Sequence, residues 1–204
     1  MTLANTARRL KRAAPRRVPS LLLVSDPLRL PDPLAAARRL PPGAGVLLRP
    51  YGEARAGLPE ALAALCRRRR LTLLVAVAGA ADWRLAQRIG AAGLHLPEGL
   101  ARHGVVSPLL GWRRRKGLLL SVACHSPAAL HRAAALGADW AVLSPVFATA
   151  SHPAARPIGS LRFAAWVRRA PLPVIALGGI ADATAGRLSS SAAAGLAAIG
   201  ALAE

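Results

Sequence analysis

Aromatic residues are almost missing from this chain: four Trp, two Phe and one Tyr make up 3% of 204 residues. Its apolar content, 53%, comes mostly from Ala, Leu and Val, a composition that argues against a β-sandwich and for helices packed on buried parallel strands. Cysteine is scarce too. Cys66 and Cys124 lie far apart and form neither a zinc-ligand spacing nor a disulfide framework, which points to a reduced, cytoplasmic compartment. No uninterrupted apolar run reaches the ~20 residues of a membrane span, so no membrane partner is expected. Acids are the third scarcity: nine Asp and Glu against 28 Lys and Arg give a formal charge of +19. Such a charge can attract nucleic acid, but no nucleic-acid motif accompanies it, and no specific nucleic-acid partner is expected. The runs Arg67–Arg70 and Arg113–Lys116 each precede an apolar segment and read as solvated helix ends, where cations suit the helix dipole. A positive field of this kind also gathers small phosphorylated ligands.

Residues 1–17 contain six Arg and Lys and no acid, and they lack the apolar core of a secretory signal. They read as a basic leader, amphipathic or frayed. From residue 18 to 204 short apolar runs alternate with longer helical stretches, with no internal linker. Strands are expected near Leu21–Ser25, Val46–Arg49, Leu73–Val77, Gly93–His95, Leu118–Ala123, Ala141–Leu143, Val174–Leu177 and Leu196–Ile199. A repeat of ~20–30 residues is the length of a strand, a helix and two loops. The fold class is therefore α/β, a single TIM (β/α)8 barrel with a basic N-terminal extension and a truncated last helix. An open doubly wound sheet fits less well, because no glycine-rich turn follows the first strand. Ser126-Pro127 is a helix start, and Leu130, Ala133, Ala134 and Gly137 follow it with helical spacing. Asp182 can cap a later helix.

In a parallel barrel every strand ends at one common mouth, so polar groups just past strand ends carry the chemistry. The stretch Leu118–Gly159 is the richest in them. His125 directly follows the fifth strand and reads as a general acid/base, or else as a structural histidine. Cys124 beside it is a weaker candidate nucleophile, since no base is fixed next to it. Thr149, Ser151 and His152 follow the sixth strand and can bind phosphate, unless Pro153 and Pro157 merely stiffen a connection. After the seventh and eighth strands come Gly178-Gly179 and Gly200, where bare backbone amides could hold a phosphate; a tight turn is the plainer reading. Arg49, at the end of the second strand, could meet an anion in the mouth, though arginines are abundant here.

These segments resemble the thiamine phosphate synthase/TenI family of TIM barrels. The resemblance runs from about Leu21 onward and is carried by AADWRLAQRIGAAGLHLPEG (Ala80–Gly99), SVACHS (Ser121–Ser126), GADWAVLSPVFATASHP (Gly137–Pro153), PLPVIALGGI (Pro171–Ile180) and GLAAIGAL (Gly195–Leu202). It implies small phosphorylated thiazole and pyrimidine ligands, with a homo-oligomer compatible. The family's synthases join a pyrimidine diphosphate to a thiazole phosphate with Mg²⁺ help; its TenI-type members move a proton on a thiazole carboxylate phosphate without metal. The strand-2 pattern Gln-x-Arg-x-Lys appears here as Leu47, Arg49 and Tyr51. The Asn-Asp pair falls on Ala80 and Ala81, the second metal aspartate on Leu100 and the strand-6 lysine on His152. Gly179 matches the phosphate-contacting glycine and His125 the acid/base histidine of TenI-type members. The resemblance thus implies an intact phosphate half and a dismantled metal half, with Asp82 and Glu98 as the weak remaining metal candidates. The expected activity is metal-independent proton transfer of the thiazole tautomerase kind, with no cofactor. The alternatives are thiamine phosphate synthase with displaced Mg²⁺ ligands and a non-catalytic thiamin-phosphate-binding barrel.

Overall fold

The computed structural model describes residues 3–11, 15–50, 56–103, 111, 117–150 and 154–202. Eight parallel strands close in sequential order into a barrel: β1 (Leu21–Val24), β2 (Gly45–Leu48), β3 (Thr72–Ala76), β4 (Gly93–Leu96), β5 (Leu119–Cys124), β6 (Trp140–Leu143), β7 (Val174–Ala176) and β8 (Gly195–Ala198). Every expected strand is present, with no end displaced by more than one residue. Strands β1, β2, β4, β6 and β8 are buried along their whole length. That is why they read as continuous apolar runs rather than alternating ones: one side chain set fills the barrel and the other meets the helices.

The described helices are α1 (Leu3–Lys11), α2 (Leu34–Arg39), α3 (Leu58–Arg69), α4 (Ala80–Arg88), α5 (Glu98–His103), α6 (Pro127–Ala135), α7 (Ser160–Arg168) and the single turn α8 (Asp182–Ala185). Helix α6 begins as its sequence indicates: Ser126 Oγ accepts the Ala129 amide at 3.2 Å, Pro127 opens the first turn, and Leu130 and Ala133 are buried. The basic run ending α3 is partly engaged rather than wholly solvated, since Arg67 and Arg69 donate to the carbonyls of Ile89 and Leu40.

Asp182 does not cap α8. Thr184 does so, its Oγ1 accepting the Ala181 amide at 2.9 Å. The Asp182 carboxylate instead accepts the Leu3 amide at 2.6 Å. Within the basic leader, α1 buries Leu3, Thr6, Ala7 and Leu10 and packs against β8 and α8. It covers the part of the wall where the helices following β7 and β8 are shortest; β8 is followed by one 3₁₀ turn, Gly200–Leu202.

Candidate functional site

At the carboxyl ends of the strands lies a cavity of about 320 Å³. Val24, Leu47, Leu177 and Ile199 give it apolar walls, and Arg49, His95, His125, Ser144 and Thr149 bring polar groups to it. Ser121, Ala123 and His125 alternate along β5, so Ala123 and His125 reach the mouth while Cys124 turns to the helix layer. Burial and the nearby Glu98 charge push the Cys124 thiol up to about 12, although Arg132 opposes them. It is no nucleophile at neutral pH.

A second pocket of about 90 Å³ shares Leu177, Gly178 and Ile199 with the first and is lined further by Arg29, Gly179 and Gly200. Gly178 and Gly179 both have left-handed backbones, φ 96° and 63°. A Cβ on Gly178 would stand 2.7 Å from Pro145 Cα, and one on Gly179 would collide with the Ala148 carbonyl oxygen. The tight turn is thus demanded by the β6 loop lying against it, a packing reason independent of any ligand. The turn also does something else. Among the described residues, no acceptor takes the amides of Gly178, Gly179 or Ile180. Successive amides in a turn of this kind are the sort of group that can receive an anion.

Arg49 is fixed from the β1 end. Its amide donates to Ser25 Oγ at 2.8 Å, its Nε to the Ser25 carbonyl at 2.7 Å, and its Nη2 to Asp26 Oδ2. The same carboxylate oxygen accepts Arg29 Nη2 at 3.2 Å, while Asp26 Oδ1 takes the amides of Leu28 and Arg29. Burial raises the Asp26 carboxyl, but the Arg29 and Leu28 hydrogen bonds and the Arg49 charge outweigh it and hold it at about 2. One carboxylate therefore braces two guanidinium groups, Arg49 on the larger cavity and Arg29 on the glycine pocket. The trio keeps a net positive charge facing both.

The two mouth histidines sit in opposite surroundings. His125 is mostly exposed, and both its amide and its Nδ1 lie on Glu98 Oε2, at 2.9 and 2.7 Å. His95 is buried, with Nδ1 2.7 Å from Ser121 Oγ, its register neighbour on β5. Burial, with the Arg49 charge adding to it, pushes the His95 imidazole down from 6.5 to about 4. The unfolded chain therefore binds this proton first as pH falls. His95 stability is complete above pH 6.5 and is lost as pH drops toward 4, amounting to roughly 3 kcal/mol across the window. Urea unfolding at pH 7 and pH 4.5 is expected to show most of that loss, and His95→Gln to flatten it; an unchanged pH dependence in the variant would refute the assignment.

Thr149 lines the cavity, whereas Ser151 and His152 lie outside the described residues, as does Tyr51. Both metal candidates are engaged, Glu98 through both oxygens and Asp82 through one. Asp82 Oδ2 accepts the amides of Ala78 and Gly79 at 2.8 and 3.0 Å and caps α4. Glu98 Oε2 is taken by His125, and Oε1 by Arg132 at 3.0 Å, with Arg102 at 3.5 Å. Among the described residues no cluster of three His, Cys, Asp or Glu could hold a metal. Mg²⁺ is held by one or two carboxylates together with substrate phosphates; Glu98, with both oxygens taken, does not fit that role, and Asp82 has only Oδ1 to offer.

The family model described as thiamine monophosphate synthase matches residues 48–202. The chain belongs to the thiamine monophosphate synthase family. It is 36% identical over 159 residues to the thiamine-phosphate synthase of Bordetella pertussis, covering 74% of this chain and 69% of that protein. A Geobacter sulfurreducens protein named "Putative thiamine-phosphate synthase" is 37% identical over 119 residues, 58% of this chain and 54% of the relative. The match thus spans about half the length of that relative. Thiamine phosphate pyrophosphorylase from Pyrococcus furiosus shares the fold, with a TM-score of 0.73 at 20% identity over 93% of this chain and 90% of that one.

Within this member of the thiamine monophosphate synthase family, the structure adds site residues that the sequence did not single out. Asp26 and Arg29 form a local turn whose Asp-Pro-Leu-Arg spacing is a recognisable signal. Glu98 stood out only as a displaced metal ligand, and its contact with His125 joins residues 27 positions apart. No local pattern reveals that pairing. Nor does anything local mark His95 as neutral. Among the described residues, no helix is long and apolar enough to cross a membrane.

Proposed function

We propose that this barrel binds a thiazole phosphate and acts in the formation of thiamin phosphate. The observation that carries the reading is the glycine pocket: three successive amides without acceptors among the described residues, beside Arg29, sharing lining residues with a cavity that has Arg49, Thr149 and His125 on its walls. The phosphate would lie on Gly178, Gly179 and Gly200, its charge met by Arg29, with Thr149 as a further donor. That leaves the ring between Arg49, His95 and His125. The relatives' names weigh toward the coupling reaction, in which the thiazole nitrogen attacks a pyrimidine diphosphate. For that reaction Arg49 is the side chain placed to meet the departing diphosphate. No step is assigned to Mg²⁺: Glu98 is held through both oxygens, and Asp82 keeps Oδ2 on the Ala78 and Gly79 amides.

A second reading, tautomerase-like proton transfer, is favoured by the Glu98–His125 pair. With Nδ1 held by a carboxylate, Nε2 is the ring nitrogen left to take a proton from one ring atom and return it to another. One assay separates the readings. The protein is given thiazole phosphate and the pyrimidine diphosphate with and without Mg²⁺, and in parallel thiazole carboxylate phosphate in D₂O with a chelator. Formation of thiamin phosphate supports coupling. Deuterium uptake with no coupling supports proton transfer. Binding at the mouth without either product leaves a non-catalytic barrel.

A further inference from the structure

We propose that Glu98 is the positioning residue of His125: it fixes the tautomer and aim of the imidazole, so that Nε2 is the proton-transferring atom. This rests on the reading that His125 acts on the bound ring. Glu98 opens α5 just past β4, and His125 stands just past β5, so the barrel brings the two strand ends side by side. One carboxylate oxygen, Oε2, accepts both the backbone amide of His125 at 2.9 Å and its Nδ1 at 2.7 Å. Holding backbone and ring at once leaves the side chain little freedom in χ1 and χ2. It also requires a proton on Nδ1, which leaves the Nε2 lone pair of the neutral ring open.

The carboxylate itself is held from behind. Arg132 on α6 donates to Oε1 at 3.0 Å, and Arg102, one turn along α5, stands 3.5 Å away. The Glu98 side chain is only 14% exposed. Burial would favour its neutral acid, but the His125 hydrogen bonds and charge and the Arg132 charge prevail and keep it below its ordinary range. The anion therefore persists at neutral pH, as the partner of a proton-transferring imidazole must. A free carboxylate at this point of the mouth would be a metal ligand. With both oxygens occupied by cationic donors or an imidazole N–H, it becomes part of an acid/base device instead.

Glu98→Gln tests the assignment, because glutamine keeps the shape but has a single acceptor oxygen for four donors. If the amide oxygen stays on Arg132, its NH₂ faces His125 and must donate to Nδ1, which forces the Nε2–H tautomer. In ¹⁵N spectra of the neutral ring, the native protein is expected to show His125 protonated on Nδ1, and the Gln variant to shift toward Nε2 protonation. In turnover, Glu98→Gln is expected to lower kcat by roughly 10- to 100-fold with little change in KM for the phosphorylated thiazole. It should add nothing further in a His125→Ala background, since a residue acting only through His125 has no effect once the ring is gone. A native ring protonated on Nε2 overturns the proposal without needing any variant to fold. Full activity in Glu98→Gln alongside a dead His125→Ala overturns it while leaving the functional reading intact. The native tautomer found without turnover on any substrate supports the positioning and removes the functional reading.

Discussion

Replacing His125 with alanine is expected to lower kcat for proton transfer by about 10²- to 10⁴-fold, the range of a positioned general acid/base. KM for the phosphorylated thiazole should change little. The reason is spatial: the glycine pocket proposed for the phosphate is lined from the β1, β7 and β8 ends, and His125 contributes to the wider cavity at the β5 end. A residue that acts only on the reacting ring lowers kcat and kcat/KM together, whereas one that merely holds substrate raises KM. Removing the ring takes only the Nδ1 contact from Glu98 Oε2, which keeps the backbone amide of residue 125, while Arg132 and Arg102 still hold the carboxylate. Since His125 is more than half exposed, water can replace its lost contacts, and thermal unfolding should barely move. The measurement is steady-state kinetics on both substrate sets. Unaltered proton transfer in the variant would sink the acid/base role, and unaltered coupling would show that the synthase reaction does not use the ring.

How much of this was legible in the chain depends on the range of the interaction. The strands were readable because a parallel barrel buries both faces, so that Leu21–Val24 and Trp140–Leu143 are apolar without alternation. Ser126-Pro127 was readable because a cap is satisfied within three residues. Asp182 misled for the same reason. Its local sequence fits a cap, but its carboxylate accepts the Leu3 amide from the other end of the chain, and nothing near residue 182 signals that. The candidate site divides along the same line. His125, Arg49, Thr149 and the three glycines stand where strand ends place them. The groups that set their behaviour, Asp26 beneath Arg49 and Glu98 beneath His125, reach them across neighbouring strands. Strand order in a barrel makes such neighbours adjacent. Side-chain direction decides which of them touch, and the sequence pattern does not encode it.

The glycine corner gives the second large effect. Gly179→Ala forces a left-handed backbone on a residue with a Cβ, at about 1–2 kcal/mol. The new methyl would also strike the Ala148 carbonyl oxygen and lie 2.7 Å from Phe147 Cβ. Backbone cannot rotate away as a flexible side chain can, so the β7 turn and the β6 loop must separate. The amides of Gly178, Gly179 and Ile180 then lose their common aim. A hydrogen bond to a charged group contributes about 1.5–3 kcal/mol, so misaiming two of them should weaken thiazole phosphate binding about 10²-fold or more. That loss alone would not separate a ligand effect from a damaged turn. Gly200→Ala makes the separation, because among the described residues, its own chain neighbours apart, no atom lies within 4 Å of a Cβ built there. The methyl would stand in open space on a residue that lines the same pocket, so stability should be unchanged while phosphate binding weakens. Calorimetric titration with thiazole phosphate, beside thermal unfolding, reads both quantities. If Gly200→Ala and Gly179→Ala both bind the phosphate as tightly as the native protein, the unaccepted amides face solvent rather than substrate. The anion must then be held by Arg49 and Thr149 in the larger cavity.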